Sequence, residues 1–460
     1  MTTSSLTPVP SPIAPEGADA LALPVKAQKI GFVHLGCPKN LVDTETMLGA
    51  LTQDGHTIVA DESEADVVLV NTCAFIEKAQ AESVEALAQL AEQGKKLLIA
   101  GCLAQKFQGD LLTLFPEAQA VVGTHHVGDI ARILRQSQQG ERVLAIQQDP
   151  DYLLQEDHQR RHITSGAWAY VKIAEGCDYR CSFCIIPSLR GAFRSRPLQN
   201  VVENARSLAQ SGVREIILVG QDATSYGKEF GLTLADLLRA LNTVDGLDWI
   251  RVMYAYPTLV SDDLLTAIAE CDRVVKYLDC PLQHSHPDIL RRMRRPSFDV
   301  EAFADRARAR IPGVALRSSF IVGFPGETQA HFEHLQGVLQ RARFERLGVF
   351  EYSDVEGADS RDLDGKVAKK EIAARRRTLM AAQQGIAYAH NQALVGQTLA
   401  VLIDSQNSYG QLIGRTAWDA PEVDNSVLLK DPDGQTLPGD LVQARVTSAG
   451  PYDLKGVVVA

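Results

Sequence analysis

The chain has 460 residues, 45% of them hydrophobic, and a formal net charge of −11, with a mean hydropathy of −0.08. Such a chain holds about two to four domains with sizeable cores, and no stretch approaches the ~18 consecutive apolar residues that span a membrane. The acidic balance argues against a protein whose main work is gripping phosphates and suits a basic partner instead.

The first 26 residues are rich in Ser, Thr, Pro and Ala, with Lys26 as their only basic residue. They lack the charged and apolar regions of a signal peptide, so residues 1–26 are expected to be a disordered extension and the address cytoplasmic. Eight cysteines in a reducing compartment point to metal or catalysis rather than to disulfides.

From Lys29 short apolar runs alternate with helical ones. Ile30 to Leu35 reads as a strand ending at Gly36-Cys37-Pro38, and Leu41 to Leu51 as a helix. Asp66 to Asn71 is a second strand, ending at Thr72-Cys73; Ala79 to Ala91 is helical; Leu97 to Ala100 is a third strand, ending at Gly101-Cys102. This alternation, over residues 27–138, predicts a parallel sheet with helices on both faces. Ligands of such sheets lie beyond the carboxyl ends of the strands. Cys37, Cys73 and Cys102 are therefore expected to meet at one edge as a three-thiolate site, the alternative being three buried structural cysteines.

Residues 139–162 are polar and read as a linker. A second alternation spans residues 163–392, with strand-like runs Ala169–Ala174, Glu215–Val219, Ile250–Tyr254, Val274–Leu278, Leu316–Val322 and Leu347–Tyr352. Six βα units predict an open, partial TIM-like barrel with its chemistry at the carboxyl ends of the strands. After the first of them comes Cys177-Asp178-Tyr179-Arg180-Cys181-Ser182-Phe183-Cys184, three cysteines within eight residues. Structural zinc takes four protein ligands and an iron–sulfur cluster usually four thiolates; three leave one metal position open. A zinc knuckle with a distant fourth ligand, or disulfides, are the alternatives.

Lys366, Lys369, Lys370 and Arg375–Arg377 face a single Glu371 on a helical connector and read as a solvated basic surface. From residue 395 to 460, runs at Thr398–Ile403, Val427–Leu429 and Leu441–Thr447 predict a small antiparallel barrel. Asp419, Glu422 and Asp424 cluster beside Trp418. They are expected to form an acidic docking surface for a basic protein, with Trp418 as its anchor.

With these segments placed, the chain resembles the radical S-adenosylmethionine (SAM) methylthiotransferase family. The motifs are Leu35-Gly36-Cys37-Pro38-Lys39-Asn40, Asn71-Thr72-Cys73-Ala74-Phe75, Glu175-Gly176-Cys177 through Cys184, Val219-Gly220-Gln221-Asp222 and Gly323-Phe324-Pro325-Gly326-Glu327-Thr328. Cys-Pro-Lys-Asn and Met253-Tyr254-Ala255-Tyr256-Pro257 are most like the branch that modifies ribosomal protein uS12.

The resemblance implies an α/β multidomain chain: an N-terminal cluster domain, a partial (βα)6 radical SAM core and an OB-like TRAM barrel. It implies two 4Fe–4S clusters, a SAM-chelating one on Cys177, Cys181 and Cys184 and an auxiliary one on Cys37, Cys73 and Cys102. It places Phe183 against the adenine of SAM, Gly220 and Gln221 by its methionine portion, and Gly323 and Glu327 on the nucleotide side. The activity implied is methylthiolation of an aspartate β-carbon in uS12, with SAM as both radical source and methyl donor and a flavodoxin or ferredoxin as electron donor. A tRNA methylthiotransferase and a redox sensor are the other readings; the net charge does not favour nucleic acid. Where the family usually has a small residue, Pro281-Leu282-Gln283-His284-Ser285-His286 carries a histidine. Cys280, His284 and His286 imitate a metal site there, although a plain rim loop is the preferred reading, and Cys271 reads as packing.

Overall fold

The computed structural model describes residues 26–459 except 150, 155–159 and 165. The extension expected before Lys26 and part of the expected linker, including His158 and Gln159, lie outside the described residues. Two compact units are present. The first comprises residues up to 161 with 175–178 and 185–193; the second comprises 162–174, 179–184 and everything from 194.

The first unit is built on six strands, β1 (Lys29–His34), β2 (Thr57–Ile58), β3 (Val67–Thr72), β4 (Lys96–Gly101), β5 (Ala118–Val122) and β6 (Val143–Ala145), in the order β2-β1-β3-β4-β5-β6. Every ladder is parallel. The central strand β3 reads VVLVNT and is buried throughout, the unbroken apolar run of a strand covered on both faces. Helices α1 (Pro38–Gln53), α2 (Glu77–Glu92) and α3 (Cys102–Phe107) follow β1, β3 and β4. Pro38 suits the first turn of α1, where its missing N–H costs nothing. Val143–Ala145 falls inside the stretch expected as a linker, yet it pairs with β5. Three residues between polar neighbours are too short to carry a readable period.

The second unit opens with β7 (Trp168–Lys172), followed in the chain by two dipeptide strands, β8 (Ala174–Glu175, of which Glu175 belongs to the first unit) and β9 (Arg194–Ser195). Then come β10 (Glu215–Val219), β11 (Trp249–Val252), β12 (Tyr277–Asp279), β13 (Ala315–Val322) and β14 (Arg346–Glu351). Parallel ladders join β7, β10 and β11, and again β12, β13 and β14. A single parallel bridge, Ile250 to Val274, links the two sets. Helices alternate with these strands, from Leu198–Gln210 to Gln329–Ala342, which is the open (βα)6 arrangement.

Strands β15 (Thr398–Gln406), β16 (Leu412–Thr416), β17 (Val427–Lys430), β18 (Leu441–Ala449) and β19 (Leu454–Val458) close a barrel in the order β15-β16-β17-β19-β18. The barrel is not wholly antiparallel, because β17 and β19 run parallel. The sequence reading missed β16 and β19, and glycine is the reason. A Cβ on Gly414 would lie 2.5 Å from the Leu402 carbonyl, and one on Gly456 2.7 Å from that of Arg445. Closure demands glycine where glycine weakens the strand signal.

This barrel packs on the amino ends of the core strands. Glu215 opens β10 and pairs with Arg415 and Arg251, each at 2.7 Å. Arg346 opens β14 and pairs with Asp419 at 2.8 Å, while Tyr277 opens β12 and donates its hydroxyl to Asp424 at 2.6 Å. Arg317 holds the other Asp424 oxygen at 3.2 Å.

Candidate functional site

The three N-terminal cysteines stand at the carboxyl ends of β1, β3 and β4, which are adjacent in the sheet. Cys37 is the N-cap of α1, Cys73 follows Thr72 directly, and Cys102 opens α3. Gly36 has φ +102, and a Cβ there would sit 3.0 Å from the Cys73 sulfur, so glycine is required for the two turns to approach. Asn40 knits the edge together, donating to the carbonyls of Leu35 at 3.1 Å and Thr72 at 2.9 Å. Its Oδ1 is 3.8 Å from the Cys102 sulfur.

One cation serves this edge that sequence reasoning did not single out. Arg190, with 1% of its side chain exposed, donates to both Glu175 oxygens at 3.1 Å, to Asp43 at 3.0 Å and to Asn40 Oδ1 at 2.5 Å. Burial pushes the Cys102 thiol up to about 12, and raises Cys73 as well. For Cys37 burial also acts upward, but the charges of Lys39 and Arg190 with the backbone N–H groups of Asn40 and Lys39 together outweigh it, and the net shift is down. All eight cysteines are free in the structure. Three sulfur donors with no oxygen ligand among them suit a soft, iron–sulfur type centre, and Arg190 is placed to offset the negative charge of three thiolates.

The second triple follows β8. Gly176 has φ +75, and any Cβ would meet the Ala192 carbonyl oxygen at 2.0 Å; Cys177 then donates its N–H to the Gly191 carbonyl at 3.1 Å. Cys184 N–H bonds back to Cys181 at 3.0 Å, closing a tight turn. Between them Ser182 donates through its hydroxyl to the Arg292 carbonyl at 2.8 Å. Arg295 donates to the Cys181 sulfur at 3.8 Å. Its guanidinium lies 4.3 Å over the Tyr256 ring, which in turn stacks on Tyr179 at 4.0 Å. This Tyr179–Tyr256–Arg295 column was also not foreseen; only the Met-Tyr-Ala-Tyr-Pro motif touched it.

Phe183 is half-buried against Phe324, Ile289 and Met293. Gly220 and Gln221 stand at the end of β10, and a Cβ on Gly220 would meet nothing closer than Ala174 at 3.6 Å. Protein packing alone does not demand glycine there, which leaves room for a ligand's approach. Gly323 is different: with φ +77 its Cβ would fall 2.3 Å from Ile372, so its glycine is explained by packing. Glu327 needs a correction. Its carboxylate is buried and accepts from Gly323 N–H at 2.9 Å and from Arg375 at 2.7 Å. It holds the loop and is not offered to a cofactor. Arg375 is correspondingly buried, against the expectation of a wholly solvated basic face.

The acidic docking surface is also corrected. Asp419 is 1% exposed and Asp424 keeps 3% of its side chain exposed, both paired with core arginines as described. Trp418 donates its indole N–H to the Gly313 carbonyl at 2.9 Å, and Glu422, although exposed, accepts from the Tyr170 hydroxyl at 3.2 Å. These residues join barrel to core. Their acidity meets buried arginines of the same chain, which a charge count cannot reveal. Cys271 is buried at the end of helix Asp262–Glu270, as packing requires, and Cys280 donates its thiol to the Ala255 carbonyl at 3.2 Å; among the described residues no close donor group joins Cys280 with His284 and His286.

Residues 29–123 match an uncharacterized protein family, UPF0004, residues 171–338 the Radical SAM superfamily, and residues 395–459 the TRAM domain. Curated proteins called ribosomal protein uS12 methylthiotransferase RimO are similar along almost the whole chain. The one from Synechococcus sp. (strain CC9311) is 48% identical over 94% of this chain and 93% of its own length. That from Microcystis aeruginosa is 48% identical over 94% and 99%. The chain belongs to the uS12 methylthiotransferase family. Members of this family are radical SAM enzymes, and the two cysteine edges lie in its first two matched regions. Among solved structures, the radical SAM methyltransferase TsrM from Kitasatospora setae is similar in fold, with a TM-score of 0.54 at 16% identity over 71% of this chain and 75% of that one. No helix among the described residues is long and apolar enough to cross a membrane.

Proposed function

We propose that the chain methylthiolates the β-carbon of an aspartate in ribosomal protein uS12, with SAM as radical source and methyl donor. The observation that supports this reading is that a member of this family carries two cysteine triples, one following three adjacent strands and one within eight residues of chain, and three ligands would leave an open position at each centre. Cys177, Cys181 and Cys184 would hold a 4Fe–4S cluster that binds SAM, and Cys37, Cys73 and Cys102 an auxiliary cluster at which sulfur is delivered. Cluster and SAM together supply one-electron chemistry able to break an unactivated C–H bond, which no side chain acting as acid or base achieves.

The protein's own residues do the remaining work. Arg190 offsets thiolate charge in a buried place, and Arg295 donates toward the Cys181 sulfur, tuning what the sulfurs hold. Gly220 gives a ligand access to backbone, and Phe183 offers an apolar face beside Phe324. A basic substrate such as a ribosomal protein suits the net charge of −11. A small electron-transfer protein of the flavodoxin or ferredoxin type is the reductant this chemistry calls for.

The test is metal and product analysis after anaerobic reconstitution. Wild type should carry about eight irons per chain if both centres are 4Fe–4S. Alanine at Cys177, Cys181 and Cys184 should halve the iron and abolish release of 5′-deoxyadenosine. Alanine at Cys37, Cys73 and Cys102 should halve the iron and abolish sulfur transfer to uS12 while SAM cleavage survives. Radical formation in the first variant, or sulfur transfer in the second, would overturn the assignment.

A further inference from the structure

A histidine cluster outside both cysteine edges carries an inference independent of the reading above. His286 is the N-cap of helix Pro287–Arg292, its Nδ1 accepting from Asp288 N–H at 3.2 Å. His331 lies in the first turn of helix Gln329–Ala342, its Nδ1 accepting from Thr328 N–H at 3.2 Å. The two rings are 4.2 Å apart between centroids, and His334 presents a ring at 5.1 Å from His286. Asp288 completes the group. Its Oδ1 is held by Arg291 at 2.9 Å, while Oδ2 is 3.9 Å from both His286 Nδ1 and His331 Nε2. One donor atom from each of His286, Asp288 and His331 thus lies within 4.8 Å of the other two. Capping two helices needs one imidazole each and does not require three rings and a carboxylate oxygen to converge.

We propose that His286, Asp288 and His331 form a binding site for a divalent transition-metal ion of the zinc class. Two imidazoles and one carboxylate are the donors such an ion takes when it keeps an open position. Ligand atoms around tetrahedral zinc lie roughly 3.4 Å apart, given bonds of about 2.0–2.1 Å, so the 3.9 Å separations must contract by about half an ångström. Half of the Asp288 side chain and a quarter of that of His286 are exposed, which leaves room for that movement. Ligation exchanges the Asp288 N–H at His286 for the ion and shifts the His331 proton to Nδ1, giving up two long and weak caps. Arg291 is the cation that opposes the ion, and it is 74% exposed and free to turn outward.

The ion would staple together two loops that follow core strands. His286 ends the segment after β12, and His331 follows the Gly323–Thr328 loop after β13. Their buried neighbours His284 and Glu327 already face each other at 3.6 Å. This donor set differs from Cys280, His284 and His286, which only imitate a metal site in a segment whose preferred sequence reading is a plain rim loop.

The experiment is calorimetric titration of the full, iron-reconstituted chain with zinc chloride, with iron assayed on the same samples. One zinc per chain is expected, with N/O rather than sulfur neighbours in the zinc X-ray absorption spectrum and no loss of iron. His286→Gln, His331→Gln and Asp288→Asn should each weaken binding at least tenfold, and His390→Gln should not. Hydrogen exchange over residues 280–288 and 323–331 should slow at least threefold on adding zinc. Absence of stoichiometric binding, sulfur ligation, or binding that survives both histidine substitutions would overturn the proposal. Iron content read alongside separates that outcome from a failure of the cluster assignment.

Discussion

Replacing Arg190 with methionine keeps most of the side chain's length and removes its charge. Its hydrogen bonds to Glu175, Asp43 and Asn40 disappear, and the carboxylates of Glu175 and Asp43, with 5% and 6% of their side chains exposed, lose their shared cation. Removing one partner of a buried ion pair costs about 3–5 kcal/mol, because the remaining charge is left without water or counterion. With a urea dependence of about 2 kcal/mol per molar for a unit of this size, the midpoint should fall by about 1.5–2.5 M. Hydrogen exchange of the β3 and β4 amides in urea, on the metal-free protein under anaerobic conditions, reads the first unit directly. All three tryptophans, Trp168, Trp249 and Trp418, belong to the second unit, so their fluorescence serves as the control and should keep its midpoint. A fall smaller than about 0.5 M would refute the buried-charge reasoning.

Three further outcomes are expected. Asp419→Ala strands Arg346, 5% exposed, and should cost about 3–5 kcal/mol, whereas Glu422→Gln should stay within about 0.5 kcal/mol; thermal unfolding followed by tryptophan fluorescence compares the two. His284 is fully buried, and desolvation outweighs Glu327 to hold its pKa below 6.5. The unfolded chain therefore binds the extra proton first: the stability His284 contributes is complete above pH 6.5 and is lost as pH falls through the lower folded value. His284→Gln should flatten the stability profile below that pH by at most about 1.36 kcal/mol per unit. Arg295→Met removes the donor at the Cys181 sulfur and should make the SAM-site cluster harder to reduce, seen as a more negative midpoint in an EPR-monitored titration. An unchanged midpoint would show that Arg295 only packs on Tyr256.

What the sequence determined by itself is what repeats along the chain or sits within a few residues. The unbroken apolar run of β3, the alternation of strands with helices, and cysteines placed just after strands are all local patterns. They sufficed to predict a parallel sheet, an open (βα)6 core and one edge shared by Cys37, Cys73 and Cys102, because strand order in such sheets makes the carboxyl ends converge. Tertiary structure decided the partners of charges. Arg190 is 150 residues from Asn40 and Glu215 is 200 from Arg415, so no window links them. Asp419 and Asp424 looked like a solvent-facing acidic patch until Arg346 and Arg317 were found against them. The same holds for glycine: Gly414 and Gly456 hid two barrel strands, since only the neighbouring carbonyls in three dimensions reveal that no side chain fits. Periodicity is written in sequence because it follows from backbone geometry; the pairing of buried charges and the close approach of chains depend on distant segments that only folding brings together.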